Sequence, residues 1–350
     1  MAGHRLAIAG AGSVGRSVAE LAGQYGHQVV GIADSTGAMV ADSTGGAPAD
    51  STSEATAGSS GEAAADSSGA TTDDIGIDVA SALARKERGE PVGDAAPEAI
   101  FEVDYDVLIE ATPTTLGDAE PGFGHARRAL AADCHVVLAN KGPVAERYDE
   151  LQRLAGASAG RVRFEATVGG AIPVCSTIED LTPDAVTAVR GVLNGTANFV
   201  LSRMATEGLD YEHVLAEAQG MGVAEADPSF DVDGTDAALK FVILANVLAD
   251  DGFSLEDADV TGIDDVPRSA LELAAEDGQT IRLVGEATRE GVSVGPRLVP
   301  EHGPLAVSGT RNIVQFETEY AGTLHNSGAG AGGPETATAV LADIGRLPSL

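Results

Sequence analysis

The sequence predicts an α/β protein in two parts, a first half built on a parallel sheet and a second half of the α+β kind. Two observations carry this. Up to about residue 143, short apolar segments alternate with helical patterns, the rhythm of βαβ units. Beyond that point helices and paired strands follow one another without the rhythm. A chain of 350 residues is long enough for two domains, each with its own core.

The first element is RLAIAG (5–10), an apolar strand that runs into Gly10-Ala11-Gly12-Ser13-Val14-Gly15. A helical pattern follows, RSVAELAGQYGHQ, and then a second strand, QVVGIAD (28–34), which ends on Asp34. Strand, glycine turn, helix, strand and acid in this order are the context in which G-x-G-x-x-G marks a Rossmann-type dinucleotide site. The first glycine makes the tight turn and the second lets backbone approach a pyrophosphate. The third permits close helix packing, and the helix N-terminus faces the anion. Asp34 is placed to take a ribose 2′-hydroxyl, which favours NAD. Ser35 and Thr36 stand where a 2′-phosphate would lie, so NADP stays open.

Residues 41–73 are low-complexity Ala, Ser, Thr, Gly, Asp and Glu with no periodic apolar face. Such a segment cannot offset the entropy of ordering, and it is predicted to be a disordered insertion after the second strand. A helix resumes over 75–90, and its Lys86 reads as plain surface charge. DYDVLIEATP (104–113) and HVVLANKGP (135–143) are strands separated by a helix. Ligands of open α/β sheets sit outside the carboxyl ends of the strands. Gly15, Asp34, Thr112 and Lys141 all fall at such ends.

In the second half, RVRFEATVGGAIPVCSTI (161–178) turns into a short helix, and residues 185–208 read strand, Asn-Gly-Thr turn, helix. Hairpins are predicted over 280–300 and 311–327, and a final helix opens through Pro334 and Glu335. Between them lies EADPSFDVDGTDAALK (225–240), with five carboxylates in sixteen residues and a terminal lysine. Asp236 and Lys240 are four apart and share one face of the predicted helix. Alone, such a pair reads as a routine surface ion pair.

Charge changes its weight. Fifty-four acids stand against 21 bases, a net charge of −33, which repels nucleic acid and anionic membranes. Acid excess with abundant Ala, Gly and Val reads as a halophilic cytosolic protein, its acidity an adaptation to solvent. Only three of the 21 bases are lysines: Lys86, Lys141 and Lys240. Where lysine is so depleted, the retained ones are candidates for function. No apolar run approaches the roughly 20 residues of a membrane span, and the N-terminus lacks a signal-peptide pattern, so the expected location is the cytoplasm. Cys134 and Cys175 read as buried free thiols. The seven histidines are scattered without metal-ligand spacing.

With these residues in place, the chain resembles the homoserine dehydrogenases. The resemblance rests on GAGSVG, LANKGP, EATVGGAIP, GVLNGTANF, AEADPSFDVDGTDAALK and GAGAGGPETATAV in family order, and covers nearly the whole length except 41–73. It implies a Rossmann-type dinucleotide-binding domain over 1–142, rejoined by a C-terminal helix over 333–350, and an α+β catalytic and dimerisation domain over 143–332. It implies a homodimer without a kinase or regulatory domain. The reaction is reversible NAD(P)H-dependent reduction of L-aspartate 4-semialdehyde to L-homoserine, in threonine and methionine biosynthesis.

By the resemblance, Lys240 gives the proton to the carbonyl oxygen and Lys141 lies near nicotinamide and substrate. Glu225 and Asp236 hold the substrate with Asp231 in the same network, Gly195 and Thr196 line its site, and Gly332 touches the cofactor. Glu165, Val168, Gly170 and Ile172 match positions that bind a monovalent cation (sodium or potassium), mostly through backbone carbonyls. The insertion departs from the family pattern beside the residues that choose NAD or NADP, and HNSGAGAGG is looser than the usual closing motif. Two other readings share the first half: a Rossmann-type dehydrogenase of another small amino-acid semialdehyde, and a non-catalytic dinucleotide-binding sensor.

Overall fold

The structure, a computed structural model, describes residues 3–41, 76–249 and 252–349. Apart from Ala41, the expected insertion lies outside the described residues. The alternating first half forms a six-stranded sheet from β1 (Arg5–Ala9), β2 (Gln28–Ala33), β3 (Ala38–Val40), β4 (Val107–Glu110), β5 (His135–Leu138) and β6 (Val162–Arg163). Their order is β3-β2-β1-β4-β5-β6. All pairs are parallel except β2 with β3. Strand order reverses at β1, which opens a crevice at the carboxyl ends of β1 and β4.

The central strands are apolar on both faces because helices cover both. Leu6 and Ile8 belong to one core, Ala7 and Leu108 to the other. The C-terminal helix Gly333–Gly345 returns to this half. Its Ala337, Val340, Leu341 and Ile344 share a core with Val18 and Ala22 of the helix Ser13–Ala22. The first sheet also runs past residue 142, since β6 pairs with β5. A two-residue strand has too few positions to show a period, and only its long-range pairing reveals it.

The second half holds a mixed six-stranded sheet of β7 (Val186–Val192), β8 (Ala258–Val260), β9 (Gln279–Ala287), β10 (Val292–Pro300), β11 (Arg311–Thr318) and β12 (Thr323–Ala329). The order is β12-β11-β7-β9-β10-β8. The two expected hairpins form as β9–β10 and β11–β12, and β8 alone runs parallel to its neighbour. The helix Thr235–Ala249 packs on β9 and β10 and is buried almost all round, from Asp236 to Asn246. A helix this apolar on every side belongs to a core, not to a solvated surface. Among the described residues no helix is long and apolar enough to cross a membrane.

Candidate active site

The glycine turn forms as the pattern requires. Gly10 has φ +107°, and a Cβ there would lie 2.4 Å from the Ala111 carbonyl oxygen. A Cβ on Gly15 would lie 1.8 Å from the Gly10 carbonyl oxygen, so Gly15 serves packing and lines neither of the two large clefts. Gly12 faces open space, and the helix Ser13–Ala22 begins there without a side-chain cap. Its first N–H groups are therefore available to an anion. Gly10, Ala11, Gly12, Ser13, Val14, Asp34 and Thr112 line one cleft of about 730 Å³.

Lys86 also lines this cleft, which corrects its reading as plain surface charge. Its Nζ lies 2.6 Å from Asp34 Oδ2. The helix Val79–Glu87 carries it back to the end of β2, a long-range contact that local pattern does not reveal. Asp34 Oδ1 accepts from Thr36 N, Thr36 Oγ1 and Gly37 N. Burial pushes the Asp34 carboxyl up, but the Lys86, Thr36 and Gly37 donors outweigh it and hold the group at about 2. The cysteines are free and half-buried as residues, and burial pushes the enclosed Cys175 thiol well up.

A second cleft of about 920 Å³ adjoins the first, and Val14 lines both. Its walls come from both halves of the chain. Lys141, Val168 and Gly170 face Gly195, Thr196, Glu225, Asp231, Asp236 and Lys240, with Gly332 at the closing loop. Glu165 and Ile172 stand outside it. The Glu165 carboxylate accepts from the backbone N–H groups of Val174, Cys175 and Ser176, at the start of the short helix Cys175–Leu181. That side chain is engaged, and the residue's backbone carbonyl accepts from Val168 N at 3.3 Å, so only that carbonyl's second lone pair is left for a ligand.

At the centre of the cleft, Lys240 Nζ lies 2.7 Å from Asp236 Oδ2 and donates to the Leu193 carbonyl at 2.6 Å. An ammonium has three donors, so one N–H remains for the cleft. Lys141 Nζ reaches the other oxygen, Asp236 Oδ1, at 3.4 Å. Asp236 and Lys240 are each 8% exposed, so the pair is neither a surface bridge nor solvated. Burial pushes the Asp236 carboxyl up, but Lys240 and Lys141, with the hydrogen bonds from Lys240 and Asn194, hold it far below the usual range. Its position in the first turn of its helix favours the anion further.

Asn194 is a site residue that the sequence showed only as part of a turn. Its Nδ2 donates to Asp231 Oδ1 at 2.6 Å and to Asp236 Oδ2 at 3.0 Å. Its Oδ1 accepts from Ala197 N and so caps the helix Gly195–Glu207. One amide thus holds two carboxylates together and fixes the helix that carries Gly195 and Thr196. The available signal was Asn before Gly-Thr at a helix start, an N-cap pattern. Glu225 is exposed on a loop that Gln219 Nε2 pins through the carbonyls of Glu225 and Ala226.

Two linked clefts, one with an anion-ready helix start and one with two lysines on a buried carboxylate, fit a dinucleotide beside a small polar substrate. A family model for homoserine dehydrogenase matches residues 173–344. A homoserine dehydrogenase of Methanocaldococcus jannaschii is 40% identical over 284 residues, 79% of this chain and 84% of that protein. An NAD(+)-dependent homoserine dehydrogenase of Pseudomonas canavaninivorans is 40% identical over 259 residues, 72% of this chain and 73% of that protein. Among solved structures, a homoserine dehydrogenase from Archaeoglobus fulgidus superposes with TM-score 0.81 at 38% identity, covering 98% of both chains. A hyperthermophilic archaeal homoserine dehydrogenase in complex with NADPH does so with TM-score 0.77 at 26% identity, covering 99% of both. With the clefts described above, these likenesses show that the chain belongs to the homoserine dehydrogenase family of NAD(P)-dependent oxidoreductases.

Proposed function

We propose that Lys240 is the proton donor in reversible reduction of L-aspartate 4-semialdehyde to L-homoserine. The observation that supports this most is the pair of lysines that share a single buried carboxylate, that of Asp236. A bound dinucleotide supplies the hydride. As hydride adds to the aldehyde carbon, negative charge grows on the oxygen, and the free N–H of Lys240 gives it a proton. A positioned acid of this kind contributes about 10²–10⁴-fold. Asp236 aims Lys240 through their 2.7 Å contact, and Lys141 adds positive charge beside the substrate carboxylate. Glu225 and Asp231 take the substrate ammonium through charge-assisted hydrogen bonds. Gly195 and Thr196 wall the cleft.

NAD and NADP both fit the dinucleotide cleft. Asp34 offers an acceptor for a ribose 2′-hydroxyl, and Lys86 beside it offers the charge that a 2′-phosphate needs. The monovalent cation finds support in the loop that carries Val168, Gly170 and Ile172. Among the described residues no hydrogen bond lands on the carbonyl oxygens of these three. With the Glu165 carbonyl they would hold a hard cation, which suits oxygen ligands. Its charge would fix the loop at the junction of the two halves.

The dinucleotide-binding domain takes residues 1–142 with the returning helix 333–350, and β6 extends its sheet. Residues 143–332 form the catalytic domain and supply the interface of a homodimer. The net charge of −33 supports a halophilic cytoplasmic setting. The test is one assay at multimolar KCl, following homoserine oxidation and semialdehyde reduction with NAD(H) and NADP(H) in parallel. Homoserine-dependent turnover is the expected result. Reduction of a different small semialdehyde with no activity on homoserine would overturn the reading.

A further inference from the structure

The last residue of β4, Glu110, is fully buried and lines neither cleft. Its Oε1 gathers three groups. Thr112 Oγ1 donates to it, Thr112 N donates at 3.3 Å, and His125 Nδ1 faces it at 3.4 Å. Thr112 and His125 both line the dinucleotide cleft. From Thr112 the bonding continues across the sheet. Thr112 Oγ1 accepts from Asn140 Nδ2 at 3.2 Å, and Asn140 Oδ1 accepts from Gly142 N at 2.9 Å. Asn140 and Gly142 flank Lys141, whose own N donates to Thr114 Oγ1 at 3.4 Å. The Glu110 carbonyl adds a bond from Ala139 N at 2.8 Å.

The other carboxylate oxygen, Oε2, is buried with no hydrogen-bond partner among the described residues. It lies against Gly122, where an added Cβ would sit 3.1 Å from Oε2 and 2.5 Å from Asn140 Nδ2. The helix Gly122–Ala131 comes this close only because glycine stands there. A buried carboxylate with one oxygen left unpaired is a poor stabiliser; apolar replacements of buried charges are often neutral or better. Its worth lies in what it holds. Glu110 ties the loop after β4, which walls the dinucleotide cleft, to the loop after β5, which carries Lys141.

We infer that Glu110 is a positioning residue, which sets the dinucleotide-binding wall and Lys141 in register without touching either ligand. The inference rests on the homoserine dehydrogenase reading only for its turnover assay. Dinucleotide affinity, read by NADH and NADPH fluorescence titration, tests it independently, and wild-type turnover tests the reading itself. Glu110→Ala removes the acceptor that Thr112 and His125 share. Glu110→Gln keeps the shape and an oxygen at that place.

The expected result for Glu110→Ala is a dinucleotide Kd and KM raised about tenfold, with kcat lowered and the homoserine KM raised by a smaller factor through the displaced Lys141. Glu110→Gln should restore most of the dinucleotide affinity. Should the alanine variant fail to fold, Thr112→Val breaks the same link at its next member and should raise the dinucleotide KM similarly, again with a smaller rise in the homoserine KM. A merely structural role predicts otherwise. Both Glu110 variants would then lower kcat in proportion to the folded fraction and leave dinucleotide Kd and both KM values unchanged, which would overturn the inference.

Discussion

Lys240 and Asp236, one helical turn apart in a helix buried nearly all round, meet at 2.7 Å where the two halves of the chain face each other. Because the pair is buried, replacing one partner leaves an uncompensated charge, and the effects on function should be large. Asn194 and Lys141 join the pair through the same carboxylate. The outcomes expected from this geometry follow from what each side chain touches.

Asn194→Ala removes the amide that bridges Asp231 and Asp236 and the cap of the helix Gly195–Glu207. The lost cap alone removes about 1 kcal/mol of stability. The catalytic effect should be larger, with kcat/KM for homoserine down about tenfold or more. Asn194→Asp keeps a capping oxygen but adds a third carboxylate to the cluster. The like charges it sets against Asp231 and Asp236 outweigh the kept cap, so it should be the less stable and the less active of the two. Thermal denaturation and steady-state kinetics on both variants check this ordering.

Glu225→Ala should raise the homoserine KM while leaving the dinucleotide KM near wild type, since Glu225 lines only the substrate-side cleft. Kinetics with each substrate varied in turn separate the two. Equal damage to both would refute the proposed substrate contact.

Lys86→Ala removes the cation held against Asp34. A 2′-phosphate would then meet an unscreened carboxylate, whereas a 2′-hydroxyl would still find its acceptor. The ratio of kcat/KM for NADP to that for NAD should fall about tenfold, measured in parallel assays at one salt concentration.

Asp343, in the C-terminal helix, is 2% exposed and accepts from Glu165 N at 2.8 Å. Burial raises its carboxyl from 3.8 to about 7, only partly offset by that hydrogen bond. For an acid raised on folding, stability is fully present below the unfolded value and is lost as pH rises through the folded one. Asp343→Asn keeps an acceptor and cannot ionise. Its melting temperature relative to wild type should climb between about pH 4 and pH 7 and level off above. A flat difference across that range would count against the account of this residue.

The parts legible in the sequence were those written in short stretches. Strand, glycine turn, helix and Asp34 lie together in the chain, and so do Asp236 and Lys240. Their periods and spacings therefore announced the crevice and the lysine–carboxylate pair. The remainder depends on pairing between distant segments. Lys86 meets Asp34 across 52 positions, many of them in the insertion, and nothing local distinguishes it from a solvated lysine. Asn194 read only as part of a turn, and its hold on Asp231 and Asp236 stayed hidden because its Nδ2 partners lie 37 and 42 residues away. Glu110 read as one more residue of a buried strand. The antiparallel β3, the parallel β8 and the short β6 likewise depend on register between distant strands, which no local period encodes.

The central claim is that Lys240 supplies the proton to the substrate oxygen from its place on Asp236. The measurement that tests it most directly is kcat of Lys240→Ala for homoserine oxidation at multimolar KCl, with dinucleotide affinity measured on the same protein. The account predicts kcat lower by about 10²-fold or more with the dinucleotide Kd near wild type. Turnover close to wild type would contradict it.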